Sequence, residues 1–230
     1  MFKHKEIKEL KTKRLILVPL DDAALRVRLD TEPDEEMKEA LGEMLAGCAR
    51  HPEARLWYTE WQMRLKTDGT IIGSLDFKGP PDEKGEAEIG YGTDAAYRGS
   101  GYTTEAARAL IDWAFSQSEG LFYIMAETAP DNAASQRVLE KLKFKPTGKT
   151  GGEGPRYELE RPATSWAAIF MCLGLSVGVS FGTGLGNTSI GMCLGLACGL
   201  GLGSLLDAEE NKKRGRRRAK RANTDIENVP

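Results

Sequence analysis

The stretch "YRGSGYTTEA", residues 97–106, places two glycines around a serine, directly after an arginine and before a helical pattern. A strand pattern, "EIGYGTD" at residues 88–94, precedes it. Backbone N–H groups at the start of a helix favour an anion, and glycines let a phosphate approach without a Cβ clash. The stretch alone leaves two interpretations open, a phosphate site and an ordinary connecting turn.

The flanking patterns predict an α+β domain over residues 10–162. A strand at 14–20 is followed by two helices, and a two-residue period over 55–94 predicts an antiparallel meander. A helix at 103–117, a buried strand, a helix at 131–144 and two closing strands follow. The loop lacks the lysine of ATP-binding P-loops, and its strand belongs to an antiparallel meander, so the common nucleotide-binding folds fit poorly.

Three motifs in this order resemble the GNAT family of N-acetyltransferases, in its ribosomal-protein-alanine acetyltransferase-like branch. They are "TKRLILVPL" (12–20), "IGYG" (89–92) with "YRGSGYTTEA", and "AETAPDNAASQRVLEKLKF" (126–144). The resemblance implies the GNAT fold, a mixed and mostly antiparallel sheet that splays between its fourth and fifth strands, with flanking helices. It also implies direct transfer of an acetyl group from acetyl-CoA, the co-substrate, to a primary amine of a protein N-terminus or a small molecule, without a metal.

The resemblance assigns CoA-binding residues to the loop and to the strand before it. The family pattern at the loop maps onto Arg98, Gly101 and Thr103, where Thr103 replaces a smaller residue. Backbone groups of Ile89 and Tyr91 are expected to pair with the pantetheine arm as an added strand would. The implied pyrophosphate ligands are Arg98 and the backbone amides of Gly99, Ser100, Gly101, Tyr102 and Thr103.

The second motif and two neighbouring strands supply the remaining candidates. Asn132 is implied as a pantetheine ligand, and it also fits the N-cap of a helix. Where many relatives have a tyrosine that protonates the leaving thiolate, this chain has Leu139, so Ser135 becomes the candidate acid. Glu88 and then Glu127 are the candidates for the base, because partial burial raises the pKa of a glutamate.

Other residues of these types are interpreted as structural. Glu86 fits a solvated strand face, and Glu105 fits the stabilisation of a helix start. The two histidines, His4 and His51, are isolated in sequence and are expected at the surface. Four aromatic residues fit a hydrophobic core better than a substrate pocket: Trp57, Tyr58, Trp61 and Trp113. Because the tyrosine is missing and Thr103 departs from the pattern, a non-catalytic acyl-CoA-binding or interaction module, tethered to a membrane, is the alternative function.

A glycine-rich hydrophobic hairpin is predicted over residues 163–206. Its two apolar stretches, 166–182 and 190–206, flank the turn sequence "TGLGNTS", and residues 165–206 contain no charged side chain. Glycine recurs at every fourth position: Gly174, Gly178, Gly182 and Gly186, then Gly191, Gly195, Gly199 and Gly203. Such spacing lets helices approach closely in lipid, so we expect membrane contact through 165–206. A soluble helix pair that packs on itself, on the domain or on a second copy is the alternative.

The rest of the tail and the overall composition set the expected location. The cluster "KKRGRRRAKR" fits the rule that basic residues stay in the cytoplasm, and residues 207–230 are expected to be disordered. A formal net charge of -2 argues against nucleic acid as a partner. The four cysteines suggest neither a disulfide framework nor a zinc site, and the charges that recur up to Arg14 lead us to expect no secretion signal. We therefore expect a cytoplasmic domain that is attached to a membrane by the hairpin.

Overall fold

The computed structural model describes residues 8–227, with only the backbone for Lys220 and residues 222–227. His4 therefore lies outside the described residues. The chain divides into two compact units, Met1–Arg161 and Pro162–Pro230.

The first unit is built on one mixed sheet of eight strands in the order β1-β2-β3-β4-β5-β6-β8-β7. The strands are β1 (Leu10–Lys11), β2 (Leu15–Pro19), β3 (Trp61–Leu65), β4 (Ile71–Phe77), β5 (Glu86–Thr93), β6 (Tyr123–Glu127), β7 (Lys145–Thr150) and β8 (Pro155–Glu160). All neighbouring strands pair antiparallel except β5 and β6, which are parallel. With its flanking helices this is the expected GNAT fold.

Four helices belong to this unit: α1 (Asp22–Thr31), α2 (Glu35–Arg50), α3 (Tyr102–Gln117) and α4 (Ala133–Lys141). Aspartates cap the first two, because Asp21 accepts a hydrogen bond from Ala24 N and Asp34 accepts one from Met37 N. Helix α3 begins differently, at Gly101 in the left-handed conformation with φ 79°. The loop quoted first therefore ends on a helix start whose geometry favours glycine.

The sheet splays open between β5 and β6, the fourth and fifth of the strands expected from the sequence. Their parallel pairing covers only Glu86–Glu88 and Tyr123–Met125. Both strands continue beyond it, β5 to Thr93 while pairing with β4, and β6 to Glu127 while pairing with β8. The edge of β5 that faces β6 is consequently open from Ile89 onward.

The hydrophobic core fills the face of the sheet that α3 covers. Trp57, Trp61 and Trp113 are all nearly buried, and the ring centroids of Trp57 and Trp113 lie 5.0 Å apart. These tryptophans are core residues, as the sequence indicated. Tyr58 is partly buried against this core and against the smaller cluster of Leu20, Leu25 and Leu41, and its ring stacks on His51 with centroids 5.1 Å apart.

One local prediction was wrong, and one strand was not predicted. The meander does not begin at residue 55, because Pro52–Trp57 forms a 3-10 turn and β3 starts only at Trp61. Proline at the start of this turn and burial of Trp57 in the core override the apparent two-residue period. The short strand β1 was not predicted, because two residues carry no readable period.

The second unit consists of two helices, α5 (Trp166–Gly184) and α6 (Thr188–Glu227). Their backbones approach so closely that a Cβ on Gly178 would overlap the carbonyl oxygen of Gly191, and one on Gly195 would overlap that of Gly174. By length and composition both helices could cross a membrane. In their most apolar windows only 11% and 17% of residues are buried, which is unlike the core helix of a soluble protein.

Polar groups join the two helices at the end of the pair opposite the turn. Asp207 accepts hydrogen bonds from the backbone N–H groups of Trp166 and Ala167 at 2.7 and 3.1 Å. The indole of Trp166 donates to Glu210 at 3.1 Å, and Arg214 donates to Glu210 and to the carbonyl oxygen of Pro162. An acidic side chain from one helix thus satisfies the amides at the start of the other.

The basic end of the chain is helical where the sequence predicted disorder. Helix α6 continues past Leu206 to Glu227, so residues 207–227 are not irregular. Lys213 pairs with Glu209 at 2.7 Å and Arg214 pairs with Glu210 at 2.9 Å, both one helical turn apart. Such pairs and the high helix propensity of Ala, Arg, Lys and Glu extend the helix.

Alanine substitutions at Gly195 and Gly201 distinguish the effect of α5–α6 packing on stability from the effect of helix propensity. Gly195→Ala inserts a methyl group against the Gly174 backbone, whereas Gly201→Ala, on the same helix, meets nothing within 4 Å. Both changes raise helix propensity by about 1 kcal/mol. We expect faster hydrogen exchange across both helices for Gly195→Ala only, measured by mass spectrometry on the full chain in detergent. Equal exchange in the two variants would contradict this packing.

Candidate functional site

The loop between β5 and α3 forms an open cradle of backbone. Gly99 and Gly101 both have positive φ, 78° and 79°. A Cβ on Gly99 would meet no atom within 4 Å, so the space beside this backbone is free in the described structure. Arg98 donates from Nε to the carbonyl oxygen of Thr93 at 2.8 Å, which anchors the guanidinium beside the cradle. The arrangement fits an anion at the start of α3.

An ion pair that the sequence analysis missed fixes this loop to β2. Glu105 accepts hydrogen bonds from Thr12 Oγ1 at 2.6 Å, from Arg14 N at 2.7 Å and from Arg14 Nε at 2.7 Å. Arg14 also donates to the carbonyl oxygen of Ser100 at 3.0 Å and lies over the Tyr102 ring at 4.2 Å. Burial acts to raise the pKa of Glu105, but these hydrogen bonds outweigh it and the pKa is lowered. Glu105 therefore stabilises the start of α3, as expected. It does so through its ion pair with Arg14, which we call the clamp.

The cradle opens into a cleft of about 340 Å³ between β5 and α4, which we call the loop cleft. It is lined by residues of β5, the loop, α3 and α4: Tyr91, Gly92, Thr93, Arg98, Gly99, Gly101, Thr103, Thr104, Asn132, Ala134, Ser135, Arg137, Val138 and Lys141. The charged side chains among these are all cationic. Arg137 and Lys141 were not singled out from the sequence, although both follow "DNAAS" on the same helix. The loop cleft therefore matches a polyanionic ligand.

Thr103, the position that departs from the family pattern, points back to the sheet. Its hydroxyl oxygen lies 2.7 Å from that of Thr93 on β5. This hydrogen bond accommodates the larger side chain at the first turn of α3, and it joins the helix start to the end of the strand.

Tyr91 and Ser135 meet across the loop cleft. Their hydroxyl oxygens lie 2.9 Å apart, which makes Tyr91 a side-chain participant where the sequence suggested only a backbone role. Burial raises the pKa of Tyr91, although the hydrogen bond with Ser135 opposes the rise. Asn132 caps α4 by accepting from Ser135 N at 3.0 Å, and it also lines the cleft. Leu139, at the position of the missing tyrosine, is fully buried in the core.

The two glutamates proposed as bases are both held by Arg156 of β8. Arg156 Nη2 lies 3.4 Å from Glu88 Oε2, and Arg156 Nε lies 3.3 Å from Glu127 Oε1. Glu88 also pairs with Lys78, and Glu127 accepts a hydrogen bond from the Glu153 backbone at 3.2 Å. Both carboxylates are thus engaged in ion pairs with the same guanidinium. These contacts favour a structural role for both glutamates at the splay.

A second pocket, of about 790 Å³, lies on the α2 side of the sheet, and we call it the α2-side pocket. Residues of α2, β4 and β5 line it, among them Gly90 and Gly92, which give β5 a bare surface there. Asp76 of β4 is paired in register with Gly90, and a Cβ on Gly90 would lie 3.1 Å from Asp76 Oδ1. Burial, reinforced by the charge of Glu60, raises the pKa of Asp76 to about 6. Sequence reasoning missed Asp76, although an aspartate inside a strand is itself unusual.

Comparison with known proteins agrees with this geometry. The family of acetyltransferase (GNAT) domains matches residues 14–145, and the chain belongs to this family. It is 42% identical over 87 residues to the uncharacterized N-acetyltransferase YjdG of Bacillus subtilis, covering 38% of this chain and 51% of that protein. It is 45% identical over 103 residues to the probable N-acetyltransferase YjcK of Bacillus subtilis, covering 39% and 56%. The chain thus spans about half the length of these curated relatives.

Solved structures show the same fold at lower identity. An acetyltransferase of Agrobacterium tumefaciens superposes with a TM-score of 0.52 at 24% identity, covering 70% of this chain and 99% of that one. The ribosomal L7/L12 alpha-N-protein acetyltransferase RimL, solved in complex with coenzyme A, has a TM-score of 0.52 at 15% identity. That match covers 66% of this chain and 97% of the other.

Proposed function

We propose that the first unit is an acetyl-CoA-dependent N-acetyltransferase that moves an acetyl group directly to a primary amine. The observation that carries the proposal is the cationic loop cleft, which runs from the glycine cradle to the open edge of β5. Coenzyme A is a polyanion with an extended amide-bearing arm, and these two surfaces complement its two parts. Three motifs of the ribosomal-protein-alanine acetyltransferase-like branch support a place in that branch, with a protein N-terminus or a small molecule as acceptor.

Residues of the loop cleft and of the β5 edge suit the pyrophosphate and the pantetheine arm of coenzyme A. The backbone amides of residues 99–103 and the Arg98 side chain would hold the pyrophosphate, and Arg137 and Lys141 face the same cleft. The free backbone of Ile89 and Tyr91 would pair with the pantetheine arm, and Asn132, which lines the cleft at the N-cap of α4, would lie beside that arm. Acetyl-CoA supplies the reactive acetyl thioester.

Amine acetylation requires a neutral amine and a proton for the leaving thiolate. Tyr91 and Ser135 form a hydroxyl pair in the loop cleft, and the raised pKa of Tyr91 keeps it protonated and able to donate. Asp76 is better suited to accept the ammonium proton than Glu88 or Glu127, because no described cation is paired with its carboxylate and it opens into the α2-side pocket. We therefore assign the acid to Tyr91 with Ser135, and the base to Asp76.

The hairpin is proposed to insert into a membrane and to keep the acetyltransferase unit on the cytoplasmic side. The glycine faces of α5 and α6 pack on each other, so the exposed apolar side chains point outward. Leu173, Val177 and Phe181 of α5 are between 56% and 70% exposed. Lipid would cover this surface, and any contact between copies would use it too.

Removing Arg98 or distorting the cradle should weaken coenzyme A binding. Arg98→Ala deletes a charge-assisted contact and should raise the dissociation constant about tenfold. Gly101→Ala strains a left-handed position at the cradle and should also weaken binding. Isothermal titration of the full chain with coenzyme A measures both.

Two control variants make the same types of substitution outside the loop cleft. Arg26→Ala removes an exposed arginine of α1, and Gly148→Ala strains a glycine with φ 76° that meets nothing within 4 Å. Unchanged affinity in Arg98→Ala and Gly101→Ala would overturn the cleft assignment. Tight binding without release of free thiol on any amine would favour the non-catalytic acyl-CoA-binding module instead.

Asp76→Asn should make the protein more stable and less active at pH 7. The folded state raises the pKa of Asp76 from 3.8 to about 6, so between these values it binds more protons than the unfolded state, and stability falls as pH rises. The full loss of folding stability caused by ionised Asp76 is present at pH 7, with an upper bound of roughly 3 kcal/mol. It disappears below the pKa of Asp76 in the unfolded state. Urea unfolding at pH 7 and at low pH, together with thiol release, measures both effects.

The control for this variant is Asp112→Asn on the exposed side of α3. It should change neither stability nor rate. A gain in stability without any loss of acetyl transfer in Asp76→Asn would remove Asp76 from the mechanism and leave it as a pocket residue.

Flotation with lipid vesicles tests the membrane proposal. The full chain should rise with phosphatidylcholine vesicles and resist extraction at alkaline pH. Adding charges to the outer face with Leu173→Asp and Phe181→Asp should abolish flotation, since each costs roughly 3 kcal/mol in a bilayer centre. Phe181→Leu keeps the face apolar and should float. A full chain that stays soluble and monodisperse with vesicles present would contradict insertion.

A further inference from the structure

The α2-side pocket contains two carboxylates that lie side by side on neighbouring strands. Trp61 pairs with Leu75, so extending this register by one residue places Glu60 across from Asp76. Asp76 in turn pairs with Gly90 of β5. Glu60, Asp76 and Gly90 therefore form a row across three strands, from the pocket interior to the strand that borders the loop cleft. Both acids line the pocket.

Neither carboxylate has a hydrogen-bond or ion-pair partner among the described residues. Glu60 is only 6% exposed, and burial raises its pKa, although the nearby charge of Arg28 opposes the rise. Carboxylates withdrawn from water without partners cost free energy, and groups with pKa values perturbed in this way cluster at functional sites. The two groups are thus placed to receive cations from outside the chain.

The other charged groups of the pocket offset the charge of the pair only in part, since Lys78 acts to lower the pKa of Asp76 while burial and the charge of Glu60 raise it. Its charged lining residues are Glu43, Arg50, Glu60, Asp76, Lys78 and Glu153. Lys78 is already paired with Glu88 and Glu153, and Arg50 donates to a carbonyl oxygen of its own helix, that of Ala46. The α2-side pocket is therefore acidic, whereas the charged residues of the loop cleft on the other side of β5 are cationic.

We propose that Glu60 and Asp76 select an acceptor that carries a second positive charge close to the amine that is acetylated. Asp76, beside Gly90, receives the reacting amine, and Glu60 receives the second charge. Neighbouring strands lie about 5 Å apart, which matches two cationic groups separated by about three to four methylene groups. This inference rests on the proposed acetyl transfer and specifies its acceptor class.

The probes are 1,4-diaminobutane and n-butylamine, which share a carbon chain and differ by one charge. Titration of each into the full chain with coenzyme A present, at constant ionic strength, should show at least tenfold tighter binding of the diamine. Thiol release from acetyl-CoA should show the same preference, as a lower KM for the diamine. Equal binding and equal KM for the two amines would exclude a free diamine as the acceptor.

Single variants separate the two acids. Glu60→Gln should reduce the diamine preference to near one, because it weakens diamine binding far more than butylamine binding, and Asp76→Asn should weaken both amines. Glu39→Gln, on the exposed side of α2 and outside the pocket lining, is the charge-matched control and should retain the preference. A preference that persists in Glu60→Gln would overturn the role of Glu60. Should that variant lose its native circular dichroism, the wild-type comparison decides alone.

A second pair of probes identifies the source of the charge. The dipeptide amides Ala-Lys and Ala-Leu differ in a cationic side chain near a free N-terminus. Preference in this pair supports a basic peptide, preference in the first pair supports a free diamine, and preference in neither overturns the inference. Diamine-selective binding without thiol release would refute the proposed acetyl transfer but not the site. Thiol release without selectivity would do the reverse.

Discussion

The site depends on the point where β5 and β6 stop pairing, and Arg156 occupies that point. Its guanidinium contacts Glu88 on one diverging strand and Glu127 on the other, from β8. Charges of this kind cost desolvation and repay it only when they are mutually paired, so the three groups fix one another in place. The splay leaves the edge of β5 unpaired from Ile89 onward, and the ion pairs with Arg156 hold Glu88 and Glu127 where the two strands diverge.

Successive side chains of β5 point to opposite faces of the sheet. One face of β5 therefore borders the loop cleft and the other borders the α2-side pocket. Tyr91 points to the α4 side and meets Ser135, while Gly90 faces α2 and leaves room for the Asp76 carboxylate. Charge follows the same division, with cationic residues lining the loop cleft and an acidic majority lining the α2-side pocket. A polyanionic donor and a cationic acceptor would thus reach the same strand edge from opposite sides, which limits competition between them.

Local patterns predicted what is local in this fold. Helices, most strands and the glycine cradle follow from periodicity, caps and the backbone freedom of Gly99 and Gly101. What escaped prediction depends on pairing between distant residues. The clamp between Arg14 and Glu105 spans 91 positions, and Asp76 becomes recognisable only once register places it against Gly90. The sequence predicted Glu88 on the fourth strand and Glu127 at the end of the fifth, but it could not show that Arg156 would contact both.

The unpaired acids explain why this pocket should conflict with stability. An aspartate in the middle of β4 is disfavoured by strand propensity, and burial next to Glu60 adds a further cost. A Cβ on Gly90 would lie 3.1 Å from Asp76 Oδ1, so a larger residue there requires the Asp76 side chain to shift. Glu60, Asp76 and Gly90 each weaken the sheet, and the three residues lie together beside the open edge of β5. Local rules are broken together in this way where a protein gives up stability for a site, since packing alone would favour a larger apolar residue at each position.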